Sequence, residues 1–155
     1  MKANQIVGPI VALIVLSIAA YFILQGNQQS GVVGNPAGTV TTDLRYDIAP
    51  CIDFETGSLG ASGENYDMKL ETSCNFHTFN LTNITDVGVV SSLGQITSIP
   101  TSGWVTTCSA VVQHGYVVKT VEGHYYRMLV SAYITSAEIT THGGVVGYTI
   151  KWASL

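Results

Sequence analysis

Residues 115–134 read GYVVKTVEGHYYRMLVSAYI, and their pattern decides the fold. Two runs rich in Tyr, Val and other strand-forming residues flank Val121-Glu122-Gly123, a short break that ends in the residue most tolerant of positive φ. This predicts a β-hairpin, with a strand over 115–120, a tight turn, and a returning strand over 124–134. On the returning strand Tyr126, Met128, Val130, Ala132 and Ile134 share one face by alternation, the face expected to lie inward. The opposite face carries Tyr125, Arg127, Leu129 and Tyr133, and so apolar a surface is expensive to leave in water. Tyr125, Leu129 and Tyr133 are therefore expected at an interface with another chain; the alternative is that they belong to a second internal layer.

The same alternation recurs to either side. Residues 48–56 set Ile52 and Phe54 against Cys51, Asp53 and Glu55. Residues 65–74 set Tyr66, Met68, Leu70, Thr72 and Cys74 against Asp67, Lys69 and Glu71. Residues 104–112 form a further candidate strand, and 145–152 place Val146, Tyr148, Ile150 and Trp152 inward. Residues 86–99 fit a strand, a loop or one helical turn equally well. At least six strands at hairpin spacing, uninterrupted by helices, predict an all-β antiparallel sandwich or small open barrel.

Ahead of this domain, residues 6–24 read IVGPIVALIVLSIAAYFIL, 19 positions without a charge. At 1.5 Å of rise per residue such a helix covers most of a ~30 Å hydrocarbon core, which predicts a single transmembrane helix within 1–25. A signal peptide is the competing reading, with Lys2 before the apolar run and Ser17-Ile18-Ala19 as a cleavage site, but the run exceeds the usual length. Lys2 stands alone before the span and the next basic residue is Arg45. The positive-inside rule then predicts a cytoplasmic N-terminus and an extracytoplasmic C-terminal domain. Residues 26–40 are Gly-, Gln- and Asn-rich and read as a flexible linker, leaving 41–155 as the exported β domain.

The 155-residue chain has a formal net charge of −4, and without Lys2 five Lys and Arg face ten Asp and Glu. A nucleic-acid partner is not expected from so acidic a surface. The motifs Gly-x-Ser-x-Gly and His-Glu-x-x-His and a glycine-rich phosphate loop are all absent from the sequence, so no catalytic residue is assigned and no enzyme activity is expected. Asp53 and Glu55 on one strand face read as a solvated edge.

Three cysteines in a small exported domain suggest one disulfide. Alternation places Cys74 with Tyr66, Met68 and Leu70, and Cys108 with Trp104 and Ala110, so Cys74 and Cys108 are expected to bond in the core and Cys51 to remain free. The histidines His77, His114, His124 and His142 lack metal-ligand spacing, so no metal and no cofactor is expected; His114 and His124 could face one another across the hairpin, but each is expected to be a half-exposed hairpin residue.

Asp53-Phe54-Glu55-Thr56-Gly57, followed by Tyr66-Asp67-Met68 and then by the run from Gly115 through Gly123 to Met128, resembles the HmuY-like all-β domain family over about residues 50–152. The resemblance implies an exported bacterial domain, and the best-known members bind haem through two histidines. The family's haem-ligand positions fall where this chain has no matching motif, so haem remains an alternative with no ligand assigned. The short N-terminus, the Gly-Pro-containing apolar run and the Thr-rich β domain are also similar to archaeal type IV pilins. Together these readings predict a non-catalytic, membrane-anchored exported domain. It would act as a structural or accessory subunit among the proteins of an envelope complex or surface filament, with haem or small-ligand binding as the alternative.

Overall fold

The computed structural model describes residues 38–61, 65–137 and 141–155. The expected membrane helix and nearly all of the expected linker lie outside the described residues. Among the described residues no helix is long and apolar enough to cross a membrane.

In chain order the strands are β1 (Val40–Arg45), β2 (Cys51–Ile52), β3 (Leu59–Gly60), β4 (Met68–Leu70), β5 (Asn75–Thr78), β6 (Asn83–Val89), β7 (Thr107–Ser109), β8 (His114–Lys119), β9 (Tyr125–Thr135) and β10 (Val145–Ser154). They form two antiparallel five-stranded sheets, ordered β1-β10-β9-β8-β6 and β3-β2-β4-β5-β7. The sheets do not close into a barrel, so the sandwich is the form adopted. Val40, counted with the linker in the sequence, is the first strand residue and pairs with Trp152.

The hairpin of residues 115–134 is formed by β8 and β9, with Lys119 opposite Tyr125. Thr120 N–H donates to the His124 carbonyl at 3.0 Å, Gly123 N–H donates to the Thr120 carbonyl at 3.0 Å, and Gly123 sits at φ +87°. Inward alternation holds for Tyr126, Met128 and Val130, all fully buried, and for Val146, Tyr148, Ile150 and Trp152 on β10. It fails at Ala132, which is exposed beyond a register irregularity between Thr149 and Ile150.

The second sheet is built from pieces of two to four residues, and here the sequence reading needs correction. Residues 65–74 are not one strand. The chain turns after β4, where Cys74 N–H donates to the Glu71 carbonyl at 3.0 Å and Glu71 N–H to the Asn75 carbonyl at 2.8 Å. Cys74 thus lies in a turn at φ +60°. Residues 86–99 divide into the end of β6 and a loop with one 3-10 turn at Leu93–Gln95.

Apolar side chains of both sheets meet in one core that includes Leu44, Ile52, Phe54, Met68, Phe76 and Trp152. Phe54 stacks on Tyr126 at 5.3 Å between ring centroids and meets the edge of Trp152 at 5.2 Å. Phe76 meets Tyr116 edge-on at 5.4 Å. A second, smaller core lies on the other face of the first sheet, where Leu93 and Ile96 of the loop after β6 cover Val117, Leu129 and Ala153. The loop presses closely enough that a Cβ on Gly115 would stand 2.7 Å from Ile96 Cδ1.

Gly123→Val places a β-branched residue at a left-handed φ, although there is open space around the position. A stability loss of about 1 kcal/mol or more is expected in chemical denaturation. No loss would show that the turn tolerates a side chain and that its φ is not a constraint.

Candidate functional site

The turn that follows β2 buries Phe54 and turns its neighbours outward, so Asp53 and Glu55 come to the rim of the sandwich. The chain entering β4 brings Asp67 to the same place, and the β8–β9 turn brings Glu122. These four acids, with Asn65 and Tyr66, line a cavity of about 260 Å³. One carboxylate oxygen from each of Asp53, Glu55 and Asp67 lies within 4.8 Å of the others.

Asp67 is the buried member, 7% exposed. Its Oδ2 accepts the Phe54 backbone N–H at 2.8 Å and its Oδ1 accepts the Thr82 hydroxyl at 3.1 Å. Burial, and then the hydrogen-bonded and charged Glu55 beside it, push its pKa up to about 7 against the pull of those two donors. Burial also pushes Glu55 upward, but hydrogen bonds from Thr120, Asp67, its own backbone and His124 outweigh it, and the Glu55 pKa falls below the ordinary value. The Thr120 hydroxyl donates to Glu55 Oε1 at 2.6 Å, and His124 Nδ1 lies 3.3 Å from the same oxygen. Asp53 Oδ1 accepts the Thr56 backbone N–H at 3.0 Å. Asp67, whose environment favours its neutral form, and Glu55, whose environment favours its charged form, thus share the cavity with Asp53.

Among the described side chains the histidines do not converge. His114 and His124 sit at opposite ends of β8 and do not face one another across the hairpin; His114 Nδ1 instead meets Asp86 at 2.9 Å. His77 Nδ1 lies 3.1 Å from the Thr107 hydroxyl and 4.0 Å from Glu71. The His142 side chain lies outside what is described.

The cysteine reading changes as well. All three cysteines are free, and the expected Cys74–Cys108 bond is not formed. Cys108 pairs with Phe76 across β5 and β7, whereas Cys74 lies two positions before Phe76, in the turn, and its carbonyl accepts from the Ala110 N–H. Both half-buried thiols pack against the main core, and burial followed by the charge of Asp86 pushes the Cys108 thiol up to about 12. Cys51, expected on the wet side, is fully buried.

Among the expected interface residues, Leu129 is 7% exposed beneath the loop after β6 and therefore belongs to the second internal layer. Tyr125 is half-buried against Trp104, with Lys119 Nζ 5.8 Å from its ring. Tyr133, at 54%, remains exposed.

The sequence matches no protein-family model and no curated protein. The structure is similar to that of a candidate lipoprotein of Bacteroides fragilis, at a TM-score of 0.55 and 9% identity over 79% of this chain and 93% of that one. It is also similar to a candidate HmuY-like haem-binding protein of Bacteroides vulgatus, at a TM-score of 0.52 and 13% identity over 80% and 97% of the two chains. The chain has the HmuY-like all-β fold, and at these identities the likeness is one of fold.

With a native pKa of about 7 against an ordinary 3.8, Asp67 favours the folded state at low pH. Its contribution is full below the unfolded value and is lost as pH rises towards 7. Asp67→Asn should flatten that fall in denaturant stability between pH 4 and 7; an unchanged slope would place the titrating group elsewhere.

Proposed function

We propose that this chain is an exported, envelope-associated β domain that works by binding, tethered through the apolar run of residues 6–24 as a structural or accessory subunit of a larger assembly. The observation that carries this reading is the fold. It is shared with a candidate lipoprotein, and in this sequence 19 uncharged residues stand ahead of the domain. Exposed Tyr133, packed on Tyr148 at 5.4 Å, is the part of the expected interface still open to a partner. Among the described residues the cavity's acids are not accompanied by a nucleophile or a phosphate-binding loop, and no catalytic step is proposed for them.

Haem or small-ligand binding is the second reading, favoured by the likeness to the Bacteroides vulgatus protein. The separate partners of His77, His114 and His124 favour the first.

Two measurements on the full chain test the proposal. Expressed in bacteria, it should remain in carbonate-washed membranes while external protease removes the β domain from spheroplasts; a protected domain overturns the topology. Haem titration should give no saturable Soret band at stoichiometric haem. A band abolished by His77→Ala, His114→Ala or His124→Ala would put the second reading first.

A further inference from the structure

We propose that the outer face of the first sheet rests on an anionic lipid surface, held there by a diagonal row of three cations, Lys119, Arg127 and Lys151. Val117, Leu129 and Ala153 carry the second core on this face, and by alternation Lys119 on β8, Arg127 on β9 and Lys151 on β10 share it. Lys119 stands opposite Tyr125, Arg127 lies between Val117 and Ala153, and Lys151 stands opposite Leu129. Each cation is thus the diagonal neighbour of the next on the adjacent strand, roughly 7–8 Å away by sheet geometry. They are three of the five Lys and Arg among the described residues, and none of them is in an ion pair there, whereas Arg45 is held by Asp47 at 2.7 Å. The acids gather elsewhere: Glu71 and Asp86 lie beside His77 and His114, and Asp53, Glu55, Asp67 and Glu122 line the cavity at the rim. Asp43, the acid next in register on β1, accepts the Thr149 hydroxyl at 2.7 Å.

Arg127 shows what the row lacks. Its guanidinium is half-buried against the loop after β6, where Nη1 donates to the Ile96 carbonyl at 3.4 Å and Nε is enclosed without a partner. A cation drawn out of water without a counter-charge is costly, so an anion here is favoured, and planar guanidinium donors suit phosphate. Beside it Trp104 and Tyr125 pair at 6.1 Å between ring centroids, with Lys119 Nζ 5.8 Å from the Tyr125 ring. Half-buried Trp and Tyr among cations match the headgroup region of a bilayer. The course of the chain selects that occupant. Thr41, the second residue of β1, stands opposite Lys151, and about 15 residues, 25–39, join β1 to the apolar run of 6–24. They reach at most roughly 50 Å when extended. The docking rests on the reading of that run as a tether, which would hold the domain near lipid at high effective concentration. Charges beyond a Debye length, about 8 Å in physiological salt, act weakly. The row therefore attracts headgroup phosphates although the chain carries a net −4.

The test reconstitutes the full chain in vesicles of phosphatidylcholine and in vesicles of equal parts phosphatidylcholine and phosphatidylglycerol, each with a trace of nitroxide-headgroup lipid. Trp152 is fully buried, so quenching by the label reports on half-buried Trp104. Quenching should be stronger with phosphatidylglycerol and should be lost in about 1 M salt, where the Debye length is about 3 Å. Lys119→Gln combined with Lys151→Gln, both exposed, should lower the docked-to-undocked ratio about tenfold or more. Lys69→Gln, on β4 of the other sheet, should not. Flotation after a carbonate wash reads the tether separately. A chain inserted in both lipids with Trp104 quenched equally, or quenching unchanged in the folded double variant, overturns the docking and leaves the tether standing. A chain that floats only with phosphatidylglycerol and is released by salt overturns the tether and supports the docking. Equal quenching in both lipids, with Trp104 shielded from acrylamide by polyglutamate, would assign the face to an acidic protein and overturns the proposal as well.

Discussion

Phe54, in the turn after β2, and Phe76, on β5, project into the aromatic side chains of the first sheet, and this insertion holds the two layers together. The second sheet has strands of two to four residues, too short to persist alone. Its order therefore depends on what it packs against. Phe54 takes the stacked face of Tyr126 and the edge of Trp152, while Phe76 takes the edge of Tyr116. Each such pair contributes about 0.5–1.5 kcal/mol beyond the area it buries. Truncating either phenylalanine would also leave a cavity in a fully closed core, a change that costs about 3–5 kcal/mol.

The same insertion creates the acidic cavity. Burying Phe54 takes its backbone N–H out of water, and that donor must find an acceptor. Asp67 Oδ2 supplies it, so a carboxyl group is drawn into the rim of the core and its proton affinity rises. The turn after β2 then leaves Asp53 and Glu55, on either side of Phe54, facing the same space. Packing and cavity chemistry thus share residues, and changes in the charge state of the cluster act on the anchoring of the second sheet.

The sequence made the long strands legible and the short ones not. In β9 and β10, eleven and ten residues long, the two-residue period repeats often enough to fix the buried face and the position of Gly123. In β4 and β5 the period is extinguished after three or four residues, and extending it through Ser73 wrongly carries Cys74 into a strand. Leu129 was legible as apolar but not as covered, because its cover is a loop without periodicity. Asp53 and Glu55 resembled a wet edge for a sound reason: charge on alternate positions usually faces solvent. Their role depends on Asp67 and Glu122, brought from distant turns by the topology, and no local pattern reports that convergence.

The pairing of β1 with β10 sets how the domain bears load. Val40, the first strand residue, lies opposite Trp152, near the C-terminus, so the chain enters β1 and leaves β10 at the same end of this ladder. Force applied between the N-terminal segment and the C-terminus would peel β1 away one residue pair at a time. Force transmitted instead from the N-terminal segment to a partner gripping the far end, near Arg45 and Gly147, would load all the pairs of the ladder in shear at once. The same six-residue strand is a zipper in the first geometry and a clamp in the second. Where a partner takes hold therefore decides whether tension from the N-terminal side opens the domain or is withstood by it.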